Sequence, residues 1–272
     1  MPAFRVGSFL AVLLPAVLAS ACEGQIGDVG GGIPGDIGAG STTTSDISQT
    51  KTGTIVPLYT SPRDGTWTEV IAAKLAHPTV PVLAVINPAT GPGDTASAAH
   101  VQGIARLCDA GVKVIGYVPT AYGARAEADV RSDIERWKSF YPRATGVFFD
   151  QQVRRSGSED YYRRLAGYAR SLGLDFSIGN PGTNPAASYV GVVDTILVYE
   201  SPGMPELSTL SRWQQQYPRQ NFGVIPYGTA FDAAYVKSVA AYVGYIYLTD
   251  SQGPNPWDRV PQFFGDLLAA LE

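Results

Sequence analysis

The sequence predicts a single (β/α)8 barrel of the TIM type, preceded by an export signal and a flexible linker. Three observations predict it. Eight short apolar runs, rich in β-branched and aromatic residues, recur between residues 54 and 248. Each is followed by a stretch of crossover length, most of them amphipathic. The runs are continuous rather than alternating, which is the pattern of parallel strands buried on both faces. About 220 residues follow the linker, a length that suits one barrel.

The strands are expected at 54–59 (TIVPLY), 81–86 (PVLAVI), 113–118 (KVIGYV), 145–150 (TGVFFD), 174–178 (LDFSI), 194–199 (DTILVY), 222–227 (FGVIPY) and 244–248 (GYIYL). The first helix is expected at 66–76, with Thr66 as N-cap and Glu69 three residues on in a capping box. The second, 98–110, stops at Gly111, a natural C-cap. The third, 126–140, ends before Pro142, and the fourth, 158–172, before Gly173. The fifth crossover, 184–190, is short. Helices at 207–217, 232–242 and 257–271 complete the set. An open doubly wound sheet is the main rival. It would carry a glycine-rich nucleotide loop after the first strand, where this chain reads YTSPRDGTW.

Residues 1–21 read as a signal peptide. Arg5 supplies a positive charge, and an uncharged, mostly apolar run of about twelve residues follows, where a membrane span needs roughly twenty. Leu18-Ala19-Ser20-Ala21-Cys22 resembles a bacterial lipoprotein signal, although Ala19 stands where a larger aliphatic is usual. Lipidation of Cys22 would attach the chain to a membrane, and ordinary cleavage at the same bond would release it. The expected location is therefore outside the cytoplasm, as a membrane-anchored lipoprotein or a secreted protein. Residues 22–50 form a Gly/Ser/Thr-rich linker. Residues 51–272 form the barrel domain. The other cysteine, Cys108, lies on a predicted helix and reads as a small buried hydrophobe.

The net charge is −4 and no basic run occurs, so nucleic acid is not expected as a partner. There are two histidines. His77 falls in a helix-to-strand loop, on the face opposite a barrel's active end, and His100 opens a helix. A Ser-His-Asp triad or a histidine-rich zinc site is therefore not expected. No metal or organic cofactor is implied, and a monomer is expected.

In a barrel, functional residues collect where strands end. The strand ends here are Tyr59, Asn87, Tyr117, Asp150, Asn180, Glu200, Tyr227 and Asp250. Asp150 and Glu200 close apolar runs, where a carboxylate is costly unless paired or functional. Two carboxylates at neighbouring strand ends suit glycoside hydrolysis, in which one donates a proton and the other serves as nucleophile or base. Asn180 could bond a sugar hydroxyl or orient a carboxylate. Tyr59, Tyr117 and Tyr227 could form stacking walls. Asp250 is a third acid that also suits a turn.

VPLYTSPRDGTW, HPTVPVLAVINPATGPG, VIGYVPTAYGAR, GVFFDQ, SIGNPGT and DTILVYES, in this order, resemble the spherulin-4-like proteins, spherulation-specific family 4. The resemblance covers about residues 54–272. It implies a (β/α) barrel glycoside hydrolase acting on a galactosamine- or N-acetylgalactosamine-rich polysaccharide. Characterised fungal members are endo-α-1,4-N-acetylgalactosaminidases that cut the exopolysaccharide galactosaminogalactan, and related barrels cut the Pel biofilm polysaccharide. By position, the resemblance makes Asp150 and Glu200 the catalytic pair. Tyr59, Asn87, Tyr117, Gln151, Asn180, Tyr227 and Asp250 are the expected substrate-binding set. The family reads Phe-Phe-Asp-Glu after the fourth strand, whereas this chain has Gln151 in place of the Glu. A glutamine can neither donate a proton as a carboxylic acid does nor act as a carboxylate base. The alternative is thus a carbohydrate-binding barrel with impaired catalysis.

Overall fold

The computed structural model describes residues 51–272; the predicted signal and the whole linker, Cys22 included, lie outside the described residues. Eight strands form one parallel sheet in sequence order. They are β1 (Thr54–Leu58), β2 (Val82–Ile86), β3 (Lys113–Pro119), β4 (Gly146–Asp150), β5 (Phe176–Asn180), β6 (Thr195–Tyr199), β7 (Phe222–Val224) and β8 (Tyr245–Ile246). Gly53, just ahead of β1, closes the circle by a parallel bridge to Tyr245. Its N–H donates to the Gly244 carbonyl at 2.8 Å, and its own carbonyl accepts from Ile246 N–H at 2.9 Å. Only glycine fits this seam, because a Cβ on Gly53 would stand 2.7 Å from the Pro81 carbonyl oxygen.

The helices are α1 (Gly65–Ala76), α2 (Ala98–Asp109), α3 (Glu127–Phe140), α4 (Glu159–Ser171), α5 (Leu207–Leu210), α6 (Ala233–Ala240) and α7 (Phe264–Leu271). The chain therefore folds as the eight-stranded barrel that its apolar runs predict. Every residue of β1 and β2 is buried, as expected of strands with packed side chains on both faces. β4 shows how the two faces divide. Phe148 stacks inward on Tyr117 of β3, with ring centroids 6.1 Å apart, while Phe149 turns outward to meet Tyr162 of α4 at 6.2 Å. With a side-chain period of two, Asp150 shares the inner face of Phe148.

The boundaries differ from expectation in instructive places. The α1 N-cap is Asp64, whose carboxylate accepts from Thr66 N–H at 3.1 Å, so the predicted Thr66–Glu69 capping box does not form. The helix expected at 207–217 is one α turn followed by a 3-10 turn, Trp213–Gln216. The last helix begins at Phe264 rather than at residue 257, because Pro256 and Pro261 have no N–H to give and bias the residues before them toward extended backbone. The fifth crossover is a single 3-10 turn, Ala187–Tyr189. Cys108 is buried on α2, as expected. Among the described residues no helix is long and apolar enough to cross a membrane.

Candidate active site

Three consecutive strands bring the site together at the C-terminal end of the barrel. Asp150 ends β4 and lies in register with Asn180, which ends β5. Glu200 follows β6 directly. The β6–β7 register slips between Leu197 and Tyr199, a bulge immediately before Glu200. Bulges commonly re-aim a side chain at such positions.

Asn180 links the two acids. Its Nδ2 donates to Asp150 Oδ1 at 2.9 Å and to Glu200 Oε2 at 2.8 Å. Its Oδ1 accepts from Gly182 N–H at 3.0 Å, which fixes which end of the amide faces the acids. One amide nitrogen with two N–H bonds spread by about 120° holds those two oxygens roughly 5 Å apart. Asp150 takes a second bond at Oδ2, from the Tyr117 hydroxyl at 2.5 Å.

The two acids sit in different surroundings. Burial raises the pKa of Glu200 above the ordinary carboxylate range, and the negative charge of Asp150 adds to the rise. Hydrogen bonds from Asn180 and from the Trp257 side chain oppose it. Asp150 accepts from Asn180 and Tyr117 and faces the mouth of the barrel. One acid is thus biased toward its protonated form, and the other is held by donors aimed at its oxygens.

Aromatic rings flank both acids. Tyr59 meets Tyr117 edge to face at 5.7 Å. Burial raises the Tyr59 pKa well above the usual phenol range, with further increases from the charges of Asp150 and Glu200. Tyr117 is raised by the same causes. Both phenols therefore stay protonated as hydrogen-bond donors. On the Glu200 side, Trp257 is nearly buried and packs edge to face on Tyr227 at 6.0 Å. Tyr227 is thus placed behind Trp257, with its backbone tied to Ser201 and Gly203 in the loop after Glu200.

The remaining strand-end residues, and Gln151 beside Asp150, bond through their side chains to groups other than the two acids. Asn87 Oδ1 accepts from Gly91 N–H at 2.8 Å and organises its own loop. Asp250 is exposed and pairs with Arg259 at 3.0 Å, an arrangement of charge on a rim loop. Gln151 has a left-handed backbone, with φ 54°. Its Oε1 accepts from Ala121 N–H at 3.2 Å, a bond to the loop after β3 rather than to either acid. Trp257 is a side chain against Glu200 that sequence reasoning did not single out. Its place in an assumed helix hid it, although a tryptophan between two prolines is the signal that could have exposed it. Among the described residues no group of three or more His, Cys, Asp or Glu side chains is placed to hold a metal ion.

The model of spherulation-specific family 4 matches residues 53–271. The chain belongs to this family. Spherulin-4 of Physarum polycephalum is 34% identical over 166 residues, which are 60% of this chain and 49% of that protein. The match thus spans about half the length of that curated relative. Among solved structures, Sph3 of Aspergillus clavatus, crystallised in complex with GalNAc, superposes with a TM-score of 0.71 at 23% identity. The superposition covers 82% of this chain and 98% of that one. The superposition shows that the two chains share a fold.

Proposed function

We propose that this chain is a glycoside hydrolase that cleaves an amino-sugar exopolysaccharide with retention of anomeric configuration. The observation that carries this reading is the single Asn180 amide bonded to both Asp150 and Glu200. Retaining enzymes hold their carboxyl groups about 5–5.5 Å apart, whereas inverting enzymes leave roughly 6.5–9.5 Å for a water. The spacing set by one amide nitrogen falls on the retaining side. Glu200, raised by burial, donates its proton to the glycosidic oxygen as that bond breaks. An oxygen of Asp150 attacks the anomeric carbon and forms a glycosyl-enzyme. Glu200, now a carboxylate, takes a proton from the incoming water, and the water oxygen displaces Asp150. Tyr117 and Asn180 hold Asp150 in position through both steps.

An amino sugar is the substrate class favoured by the likeness to Sph3, whose crystals contain GalNAc. The reading includes action outside the cytoplasm, because residues 1–22 have the pattern of an export signal.

Gln151 motivates a second reading, a barrel that binds sugar without cutting it. The placement of the side chain argues against this. The bond from Ala121 N–H needs only an acceptor oxygen, which Gln and Glu supply equally. The experiment is digestion of galactosamine-containing and N-acetylgalactosamine-containing polymers, with the anomer of the first-formed product read by NMR. Wild type should release retained oligosaccharide, and Asp150→Asn should release at least 10³-fold less. An inverted first product overturns the mechanism, and equal release by the two proteins overturns the catalytic assignment.

A further inference from the structure

Tyr122 is the exposed aromatic side chain nearest in sequence to the barrel's functional end, at 67% exposure. A single exposed aromatic is unremarkable; this one stands on a segment that is fixed from several sides. Ala121 and Tyr122 both lie in the left-handed region, at φ 47° and 54°, which non-glycine residues seldom occupy. Such backbone persists only where its surroundings over-determine it.

The contacts at the turn itself run to Asp150 and Gln151. Tyr122 N–H donates to the Gln151 carbonyl at 2.8 Å, and Ala121 N–H donates to Gln151 Oε1. Thr120, fully buried, has its hydroxyl 2.8 Å from the carbonyls of both Asp150 and Gln151. Beyond the turn, Arg125 anchors the loop to the Pro119 carbonyl and to Asp133, each at 2.7 Å. The loop after β3 is therefore fastened to the backbone that carries Asp150. A rigid aromatic held out into solvent loses little entropy when a ligand settles on it.

We infer that Tyr122 is the aromatic platform of an outer sugar subsite, and that Gln151 is the positioning residue that holds it there. This rests on the glycoside-hydrolase reading. A polymer threaded past Asp150 and Glu200 places one ring at the pair, and a ring further along lies over Tyr122. In this arrangement Gln151 serves the binding of long substrates rather than proton transfer.

The test measures binding of a galactosamine hexamer and dimer to Asp150→Asn protein by titration calorimetry, alongside steady-state kinetics on the polymer with Asp150 intact. Tyr122→Ala should weaken hexamer binding about tenfold and reduce the hexamer-to-dimer affinity ratio by a similar factor. The kinetic loss should fall on KM, with kcat within about threefold. Tyr122→Phe should keep hexamer affinity, because the ring and not the hydroxyl provides the contact. Gln151→Ala should reproduce the Tyr122→Ala defect, and Gln151→Glu, which restores the acceptor, should rescue it. Hexamer affinity within twofold of the parent in Tyr122→Ala overturns the platform, and equal loss in Tyr122→Phe overturns the stacking role. Failure of Gln151→Ala to weaken binding overturns the positioning role. If the hexamer neither binds nor is cut, the glycoside-hydrolase reading itself fails and takes the platform with it; hydrolysis with an unaffected Tyr122→Ala sinks the platform alone.

Discussion

Asn180→Ala tests the core of the site, because one side chain serves both acids. The substitution removes the donor to Asp150 Oδ1 and to Glu200 Oε2, and the acceptor for Gly182 N–H. A hydrogen bond to a charged group contributes about 1.5–3 kcal/mol. Two such bonds at the low end come to about 3 kcal/mol, which is roughly 10²-fold in kcat/KM if they hold the transition-state geometry. The pH profile adds a sign. The Asn180 bond lowers the Glu200 pKa, while burial and the Asp150 charge raise it. Losing that bond leaves the raising effects unopposed except by Trp257, so Glu200 keeps its proton to higher pH. The assay is kcat/KM from pH 4 to 9 on a soluble oligosaccharide. The variant should lose about two orders of magnitude, and its high-pH limb should move upward. A limb that moves downward, or a loss of under threefold, refutes the proposed coupling of the two acids through Asn180.

Glu200→Gln should give a pH-dependent gain in stability. The folded pKa of Glu200 is raised, so the native state holds a proton that the unfolded chain releases above its ordinary value of 4.5. Wild type therefore loses stability as pH rises through that window, and the glutamine variant does not. The Tm difference between them should grow from pH 4 to pH 8; a constant difference counts against the raised pKa. Gly116→Ala should destabilise the barrel through overpacking beneath β3. Its Cβ would fall 2.4 Å from the buried Trp137 ring, whose indole N–H donates to the Tyr117 carbonyl at 2.8 Å. A cost of about 2–3 kcal/mol corresponds to a fall in Tm of roughly 4–12 °C, read by thermal melting. An unchanged Tm would mean that Trp137 moves aside freely.

The barrel was legible because parallel strands buried on both faces leave continuous apolar runs. Asp150 and Glu200 were legible for the complementary reason, since an acid ending such a run is conspicuous. What was hidden depends on side-chain and backbone partners that a strand-end pattern does not reveal, most of them in the same loop. Asp250 reads like its neighbours at strand ends, yet Arg259 holds it on the rim. Asn87 is engaged by the backbone of its own loop. Trp257 looks like a helix residue until Pro256 and Pro261 are given their full weight. The left-handed turn at Ala121 and Tyr122 contains no glycine at those two positions to announce it, because contacts with Gln151 impose it rather than local preference.

The seam between Gly53 and Tyr245 has a consequence for biosynthesis. Until β8 leaves the ribosome, the free side of β1 is an unpaired strand edge, and such edges invite association with other chains. At about 5–20 residues per second, that edge waits roughly 10–40 s for its partner. A nascent chain would need shielding throughout that interval, so a chaperone engaging the first half of the molecule should raise the yield of folded protein more than one engaging the second.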